Sequence, residues 1–144
     1  MFTMAVVIAM LRAVNLGSHH KLNMEALKTL CGGLGLRDVQ TYIQSGNLVF
    51  REDGGDPGVV ARKIEDGIER KFGFKPEVIV RTTSELRKVI AGNPFAKRPE
   101  VQPNRLLVLF MASTPGRQAR EREETGLSGL RTSRTPAGAM RFAA

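Results

Sequence analysis

Residues 12–23 contain more groups that could bind a ligand than any other stretch of the chain. Their sequence, RAVNLGSHHKLN, includes both histidines of the protein, His19 and His20, with one lysine, one serine and two asparagines. A second polar segment lies at residues 44–47 and has the sequence QSGN. Amide donors, backbone N–H groups and a lysine are typical of protein sites for a small anion such as phosphate. The two segments therefore make a candidate anion-binding site.

The candidate ligand-binding residues come from both segments: Arg12, Asn15, Gly17, Ser18, Lys21, Gln44, Ser45, Gly46 and Asn47. In this interpretation Lys21 supplies charge, the amide side chains donate directed hydrogen bonds, and the backbone around Gly17 completes the cradle. The alternative is that the polar groups only hold the loop and the hairpin together, as crowded Asn and Gln side chains usually do.

The elements on either side of these segments predict the fold that positions them. Apolar runs and alternation predict strands, and apolar residues at helical spacing predict helices. The predicted strands are at residues 4–11, 39–43, 47–50, 76–81 and 105–112, and the predicted helices are at residues 24–34, 58–72 and 84–90. The order of the first six elements predicts an α/β (α+β) fold, a ferredoxin-like βαββαβ unit, followed by an extra helix and strand.

This topology predicts where the two polar segments lie. Because the first two strands run in one direction and the next two oppositely, the loop at residues 12–21 and the hairpin at residues 44–47 share one end of the sheet. Lys75, which precedes the fourth strand, and the N-terminus of the first helix are expected at the same end. The free N–H groups and the dipole of that helix favour an anion.

Three polar residues mark where the predicted helices begin. Asn23, Asp56 and Ser84 each precede a helical apolar pattern, and their side chains can accept hydrogen bonds from the first free N–H groups of a helix. Pro57 follows Asp56 at the position where a helix tolerates proline best. The sequence therefore predicts an N-cap at each of the three positions.

The composition is typical of a soluble globular protein, since the 144-residue chain is 42% apolar and 25% charged. The single cysteine, Cys31, lies among leucines. We expect its side chain to be buried and the protein to be cytoplasmic, where thiols stay reduced. The apolar run at residues 4–11 is too short to span a membrane and does not follow a basic signal segment.

The net charge of +8 is unevenly spread. Residues 1–112 carry 16 Lys and Arg against 11 Asp and Glu, whereas residues 113–144 carry six Arg against three Glu. A positive balance favours acidic partners such as nucleic acid or a phosphate-bearing small molecule, although a solvated basic surface explains it equally well.

Other kinds of site have weaker support. A zinc site needs three or four ligands, so the adjacent histidines are expected to be a flexible, exposed pair and no metal is predicted. A catalytic triad built on Ser18 or Ser45 lacks an evident acid, so no catalytic residue or cofactor is assigned. An RNA-binding sheet needs aromatic residues on its central strands, whereas the first strand has none and Phe50 on the third could face the core.

Two functions follow as hypotheses. The preferred one is a non-catalytic module that binds a phosphate-bearing ligand or nucleotide where the loop meets the hairpin. The alternative is an enzyme of unknown reaction that uses His19 or His20 as a general base, since imidazole titrates near neutral pH. Binding of a nucleic-acid backbone is a further alternative, and enzyme activity is the less favoured.

Two motifs resemble the family called domain of unknown function 1697. They are LRAVNLG at residues 11–17 and TYIQSGNLVF at residues 41–50, with Lys21, Met24 and Leu27 between them. The resemblance continues through the second predicted helix and the Asn93-Pro94-Phe95 turn to the strand at residues 105–112. It implies an uncharacterised bacterial α/β protein built from ferredoxin-like units, and it supplies no activity.

The C-terminal part departs from the pattern of that family. Similar members continue with another helix, further strands and a last helix bearing Trp-Asn, whereas residues 114–144 contain no tryptophan and little apolar periodicity. We therefore expect residues 1–112 to form the ferredoxin-like domain with its appended helix and strand. Residues 113–144 are expected to be a basic tail that is disordered or truncated. The strand at residues 105–112 would then offer a surface for a homo-oligomer.

Overall fold

A computed structural model of the protein describes residues 4–42, 46–111, 116–118, 132–134 and 140–143. The chain forms two compact units, Met1–Leu86 and Arg87–Ala144. The division at residue 112, which rests on composition, stays a prediction.

The first unit contains four strands, β1 (Ala5–Leu11), β2 (Arg37–Tyr42), β3 (Asn47–Glu52) and β4 (Val78–Thr82). Helix α1 (Met24–Gly33) connects β1 to β2, and helix α2 (Pro57–Phe72) connects β3 to β4. The strands form one sheet in the order β2-β3-β1-β4, and every neighbouring pair is antiparallel. The predicted α+β fold with its βαββαβ order is therefore confirmed.

The core lies between the two helices and one face of the sheet. Every second residue of β1 is buried, starting at Val7, because successive side chains of a strand point to opposite faces. The helices contribute side chains at helical spacing, among them Leu27 of α1 and Ile64 of α2, which are fully buried. Cys31 of α1 is buried as predicted, and this burial raises the pKa of its thiol to about 11. A thiol in that environment is a core group and a poor nucleophile.

The predicted caps of the first two helices are confirmed. The side chain of Asn23 accepts a hydrogen bond from the Ala26 N–H at 3.1 Å, and Asp56 Oδ1 accepts one from the Gly58 N–H at 2.7 Å. Helix α3 (Thr83–Ala91) begins directly after β4, and here the predicted cap, Ser84, is wrong. Thr82 Oγ1 accepts from the Glu85 N–H while Glu85 Oε2 accepts from the Thr82 N–H, a capping box that the sequence T-x-x-E encodes.

Strand β2 is irregular in a way that the sequence pattern did not indicate. It begins at Arg37, two residues before the predicted start, and its pairing with β3 shifts register between Arg37 and Gln40. Asp38 lies in this β-bulge with a left-handed φ of 51°. Residue 43, at the predicted end of the strand, lies outside the described residues.

The second unit is built around one buried aromatic residue, Phe95, which is 5% exposed. The partly buried residues packed against it come from α3, the following turns and a strand, and they are Val89, Val101, Leu106, Val108 and Phe110. A short 3-10 helix, Pro103–Arg105, precedes β5 (Leu107–Phe110). The predicted strand is thus confirmed over Leu107–Phe110, because the helical turn that Pro103 begins extends to the expected start at Arg105, and residue 112 lies outside the described residues.

Two short strands lie within the segment that was predicted to be a disordered or truncated tail. They are β6 (Thr132–Arg134) and β7 (Met140–Ala143), and the sheet order is β5-β7-β6 with antiparallel pairing. Backbone pairing of these seven residues needs no long apolar pattern, and the expectation of a disordered or truncated tail at residues 113–144 stays a prediction. Most of the remaining tail lies outside the described residues, and self-association through the β5 surface stays a prediction.

No helix in the described part of the chain combines the length and the apolar character needed to cross a membrane. The predicted cytoplasmic location stays a prediction.

Candidate functional site

Three connecting segments meet at the end of the sheet where β1 finishes. The Leu11 N–H donates to the Gly46 carbonyl oxygen at 2.9 Å, which joins the end of β1 to the hairpin between β2 and β3. The Arg12 N–H donates to the Glu77 carbonyl oxygen at 2.9 Å, which joins the same point to the segment before β4. The loop that follows β1 therefore lies between the hairpin and the approach to β4.

Gly46 forms the closest contact between the loop and the hairpin. Its φ of +87° is a left-handed conformation that favours glycine, and the residue is buried. A Cβ atom built at this position would lie 2.6 Å from Val14 Cγ2 and 2.9 Å from Leu11 Cβ. Gly46 thus lets the hairpin pack on the loop. The other predicted hairpin ligands, Gln44 and Ser45, lie outside the described residues.

Asn15 closes the loop on itself. Its Oδ1 accepts a hydrogen bond from the Leu22 N–H at 2.7 Å, and its Nδ2 donates to the Leu22 carbonyl oxygen at 3.1 Å. Its own N–H donates to the His20 carbonyl oxygen at 3.0 Å. Inside this closure the His19 N–H donates to the Leu16 carbonyl oxygen at 3.2 Å, so the tip is a tight turn containing Gly17 and Ser18. These contacts give Asn15 a structural role.

The loop backbone is strained. Ala13, Asn15 and His20 have φ values of 55°, 54° and 50°, and Gly17 has a φ of 60°. A left-handed conformation costs a non-glycine residue about 1 kcal/mol or more, because its Cβ crowds the backbone. The loop keeps this shape because the Asn15 hydrogen bonds and the packing at Gly46 hold both of its ends.

His20 is ordered against an aromatic residue that sequence reasoning missed. Its ring stacks on Phe74 with 4.6 Å between ring centroids and 6° between planes. Its Nδ1 lies 3.4 Å from the Ala13 carbonyl oxygen, so the tautomer with a proton on Nδ1 can donate there. Both histidines are exposed as expected, and the His20 ring makes contacts that the expectation of a flexible pair did not include. The signal available in the sequence was the apolar Phe74, which lies two residues before the predicted fourth strand.

The charged side chains at this end differ in how they are paired. Arg12 Nη1 lies 3.1 Å from Glu77 Oε2 in an exposed ion pair. Lys75 Nζ lies 2.8 Å from Asp66 Oδ1 and 3.8 Å from Glu69 Oε2, so it is directed to α2. The hydrogen bond from Lys75 is the main cause that lowers the pKa of Asp66.

Lys21, in contrast, is exposed and has no hydrogen bond or ion pair to any residue in the described ranges. It lies two residues before Asn23, the N-cap of α1. Asn47 opens β3 and pairs with Met10, so it lies at the same end of the sheet, and its Nδ2 donates to the Tyr42 carbonyl oxygen at 3.4 Å. Among the candidate residues that the structure describes, this geometry leaves Lys21 and the turn at Gly17 and Ser18 best placed to contact a ligand.

The sequence model of a family described as protein of unknown function (DUF1697) matches residues 4–131. The chain belongs to this family. Among solved structures it is similar to the conserved bacterial protein SP0830 from Streptococcus pneumoniae, with a TM-score of 0.72 and 21% sequence identity. The match covers 98% of this chain and 77% of that chain, and at this identity it shows the fold alone. No curated protein matches the chain.

The described part of this DUF1697 chain gives little support for a metal site or for a base-stacking RNA-binding surface. Within the described residues, no group of three or more His, Cys, Asp and Glu side chains could hold a metal ion. The sheet face away from the helices carries no aromatic residue on its two central strands, because Phe50 is 1% exposed and belongs to the core. The two central strands of this sheet therefore offer no aromatic side chain of the kind on which RNA-binding sheets stack bases.

A cleft of about 540 Å³ lies at the other end of the sheet, beside the β2 bulge. It is lined by residues of β1, α1, β2 and β3, which include Lys28, Asp38 and Arg51. The Arg51 Nε atom lies 3.4 Å from Asp38 Oδ2, and both side chains are exposed. Since the cleft is remote from the DUF1697 loop motif, it is no part of the candidate site.

Proposed function

We propose that the loop end of the first unit binds a phosphate-bearing ligand without catalysing a reaction on it. The observation that carries this proposal is Lys21, an exposed cation without a partner in the described ranges, beside the first turn of α1. A helix N-terminus presents free N–H groups and a positive dipole end, so a lysine next to it creates a positive field for an anion.

The rigidity of the loop supports the same function. The contacts of Asn15 and His20 close the loop, so the backbone of the Gly17–Ser18 turn and of Lys21 is positioned before any ligand arrives. A preorganised site loses less conformational entropy on binding than a mobile one. Asn15 in this account is a residue that shapes the site, whereas the sequence suggested it as a direct donor.

The test is a thermal-shift titration of the full chain with inorganic phosphate, AMP and ADP. The melting temperature should rise with ligand concentration, since a ligand that binds the folded state stabilises it. Lys21→Ala should weaken binding by about 1–3 kcal/mol, roughly 5- to 150-fold in Kd, because a hydrogen bond to a charged group is lost.

Lys28→Ala is the matched control, since Lys28 is an exposed lysine of the same unit that lies further along α1. It should leave the titration unchanged. A melting temperature that no ligand alters, or an equal loss in the two variants, would contradict the proposal.

Of the two histidines, His20 is the better candidate for the general base in the enzyme alternative, because its ring is stacked on Phe74. A general base needs such fixed geometry toward the proton that it removes. Release of inorganic phosphate from a phosphomonoester during the same titration would support this alternative and argue against a purely binding function.

A further inference from the structure

The two units of the chain differ in charge far more than they differ in length. Met1–Leu86 carries 11 Lys and Arg against 10 Asp and Glu, a net charge of +1. Arg87–Ala144 carries 11 Lys and Arg against four Asp and Glu, a net charge of +7. Nearly all of the excess positive charge of the protein therefore belongs to the shorter, second unit.

Five cations at residues 87–111 of the second unit are exposed and form no ion pair within the described ranges. They are Arg87, Lys88, Lys97, Arg98 and Arg105. In the first unit, by comparison, Arg12, Arg51 and Lys75 each have a carboxylate within 4 Å.

The fold of the second unit gathers the segments that carry these cations. Phe95 packs against Val89 of α3 and against Leu106, which follows the 3-10 helix. Lys88 and Arg105 are the immediate chain neighbours of those two residues. The Arg98 guanidinium lies over the Phe95 ring, 5.5 Å from its centroid. Lys88, Arg98 and Arg105 are therefore held at or next to one small core, although 17 positions separate the first of them from the last in sequence.

We propose that this basic surface, formed by Arg87, Lys88, Lys97, Arg98 and Arg105, binds the phosphodiester backbone of nucleic acid. Phosphate contacts by Lys and Arg release condensed counterions, which supplies affinity without reading the base sequence. Bases would not stack on Phe95, because this ring is buried beneath Arg98. The binding is therefore electrostatic and independent of sequence, and it is separate from the loop site of the first unit.

The first measurement is the salt dependence of binding by the full chain. Fluorescence anisotropy with a labelled 20-nucleotide single-stranded RNA, and with a 20-base-pair DNA duplex, gives affinity at several salt concentrations. Five phosphate contacts to a single strand predict a slope of about −3.5 in log affinity against log salt. Affinity should therefore fall about a hundredfold between roughly 50 and 200 mM salt.

The second measurement compares two variants that change the net charge equally. One combines Arg87→Gln, Lys88→Gln, Lys97→Gln, Arg98→Gln and Arg105→Gln. Its matched control combines five exposed cations of the first unit, Lys28→Gln, Arg37→Gln, Arg62→Gln, Arg70→Gln and Lys71→Gln. Both lower the net charge from +8 to +3 and keep Lys21. The first should bind at least tenfold more weakly than the control, and circular dichroism checks that both are folded.

Each outcome bears on the proposal. Binding to either nucleic acid with a steep salt slope and selective loss in the first variant supports it, and the comparison of RNA with duplex identifies the preferred form. An equal loss of nucleic-acid affinity in the two variants would show that only the total charge matters, and this result would overturn the proposal. Equally tight binding of polyglutamate would also overturn it, since the surface would then hold any polyanion. The phosphate titration of Lys21 tests the loop site independently.

Discussion

The two units of this protein use their side chains in opposite ways. The first has sixteen buried hydrophobic residues in one core, counted over its described residues, and nearly balanced charges, several of which form ion pairs across its surface. The second, among its described residues, has Phe95 as its buried centre and a net charge of +7 over the whole unit. Like charges repel in a compact structure, so this imbalance works against stability. The excess positive charge of the second unit accords with the nucleic-acid binding that we propose for it.

The contrast between the cores gives the largest expected effect. Phe50→Ala in the first unit should lower the free energy of unfolding by about 3–5 kcal/mol, because a fully buried ring leaves a cavity among packed neighbours. Phe95→Ala should cost less, about 2 kcal/mol, because its neighbours are themselves partly exposed and can collapse into the space. Urea denaturation followed by circular dichroism measures both. An equal cost at the two positions would remove the distinction between the cores.

The next effect concerns the packing of the hairpin on the loop within the first unit. Gly46→Ala should lower the free energy of unfolding by about 2–4 kcal/mol. The added Cβ would disfavour the left-handed backbone conformation and would also clash with Val14 and Leu11. Gly54→Ala is the matched control, since Gly54 has a φ of +75° with nothing within 4 Å of an added Cβ. It should cost about 1 kcal/mol from backbone strain alone. Equal melting temperatures for the two variants would contradict the close contact.

The smallest effect comes from an ion pair of the first unit. Lys75 lowers the pKa of Asp66, while Asp66 raises the pKa of Lys75. The stability due to Asp66 is present above the ordinary aspartate pKa of 3.8 and is lost as pH falls through its lowered folded value. That due to Lys75 is present below its ordinary value of 10.5 and is lost as pH rises through its raised folded value.

Lys75→Met should therefore make stability slightly less sensitive to acid below about pH 4, since Asp66 returns toward its ordinary pKa. The measurement is the free energy of unfolding across the acid range for both proteins. The difference should be small, because the pair is exposed and solvent screens it. If the free energy of unfolding falls with acid in the same way for both proteins, the Lys75–Asp66 pair contributes nothing to stability in solution.

Much of the first unit could be predicted because its signals are local. The continuous apolar run at β1 and the helical spacing at α1 and α2 identify elements from neighbouring residues alone. Asn23 and Asp56 act as caps on residues two or three positions away. The bulge at Asp38 escaped prediction because register is set by the pairing of two strands.

At the candidate site, the local sequence pattern predicted which segments come together but not which side chains contact each other. The sequence by itself determined that the loop after β1 and the hairpin before β3 are the polar segments, and the βαββαβ order predicted that they meet. Two contacts became visible only in the folded protein, the stacking of His20 on Phe74 and the close packing of Val14 against Gly46. The physical reason is that these contacts join residues more than 30 positions apart in sequence. Side-chain partners at that separation depend on the exact register and packing of the sheet, which no local pattern encodes.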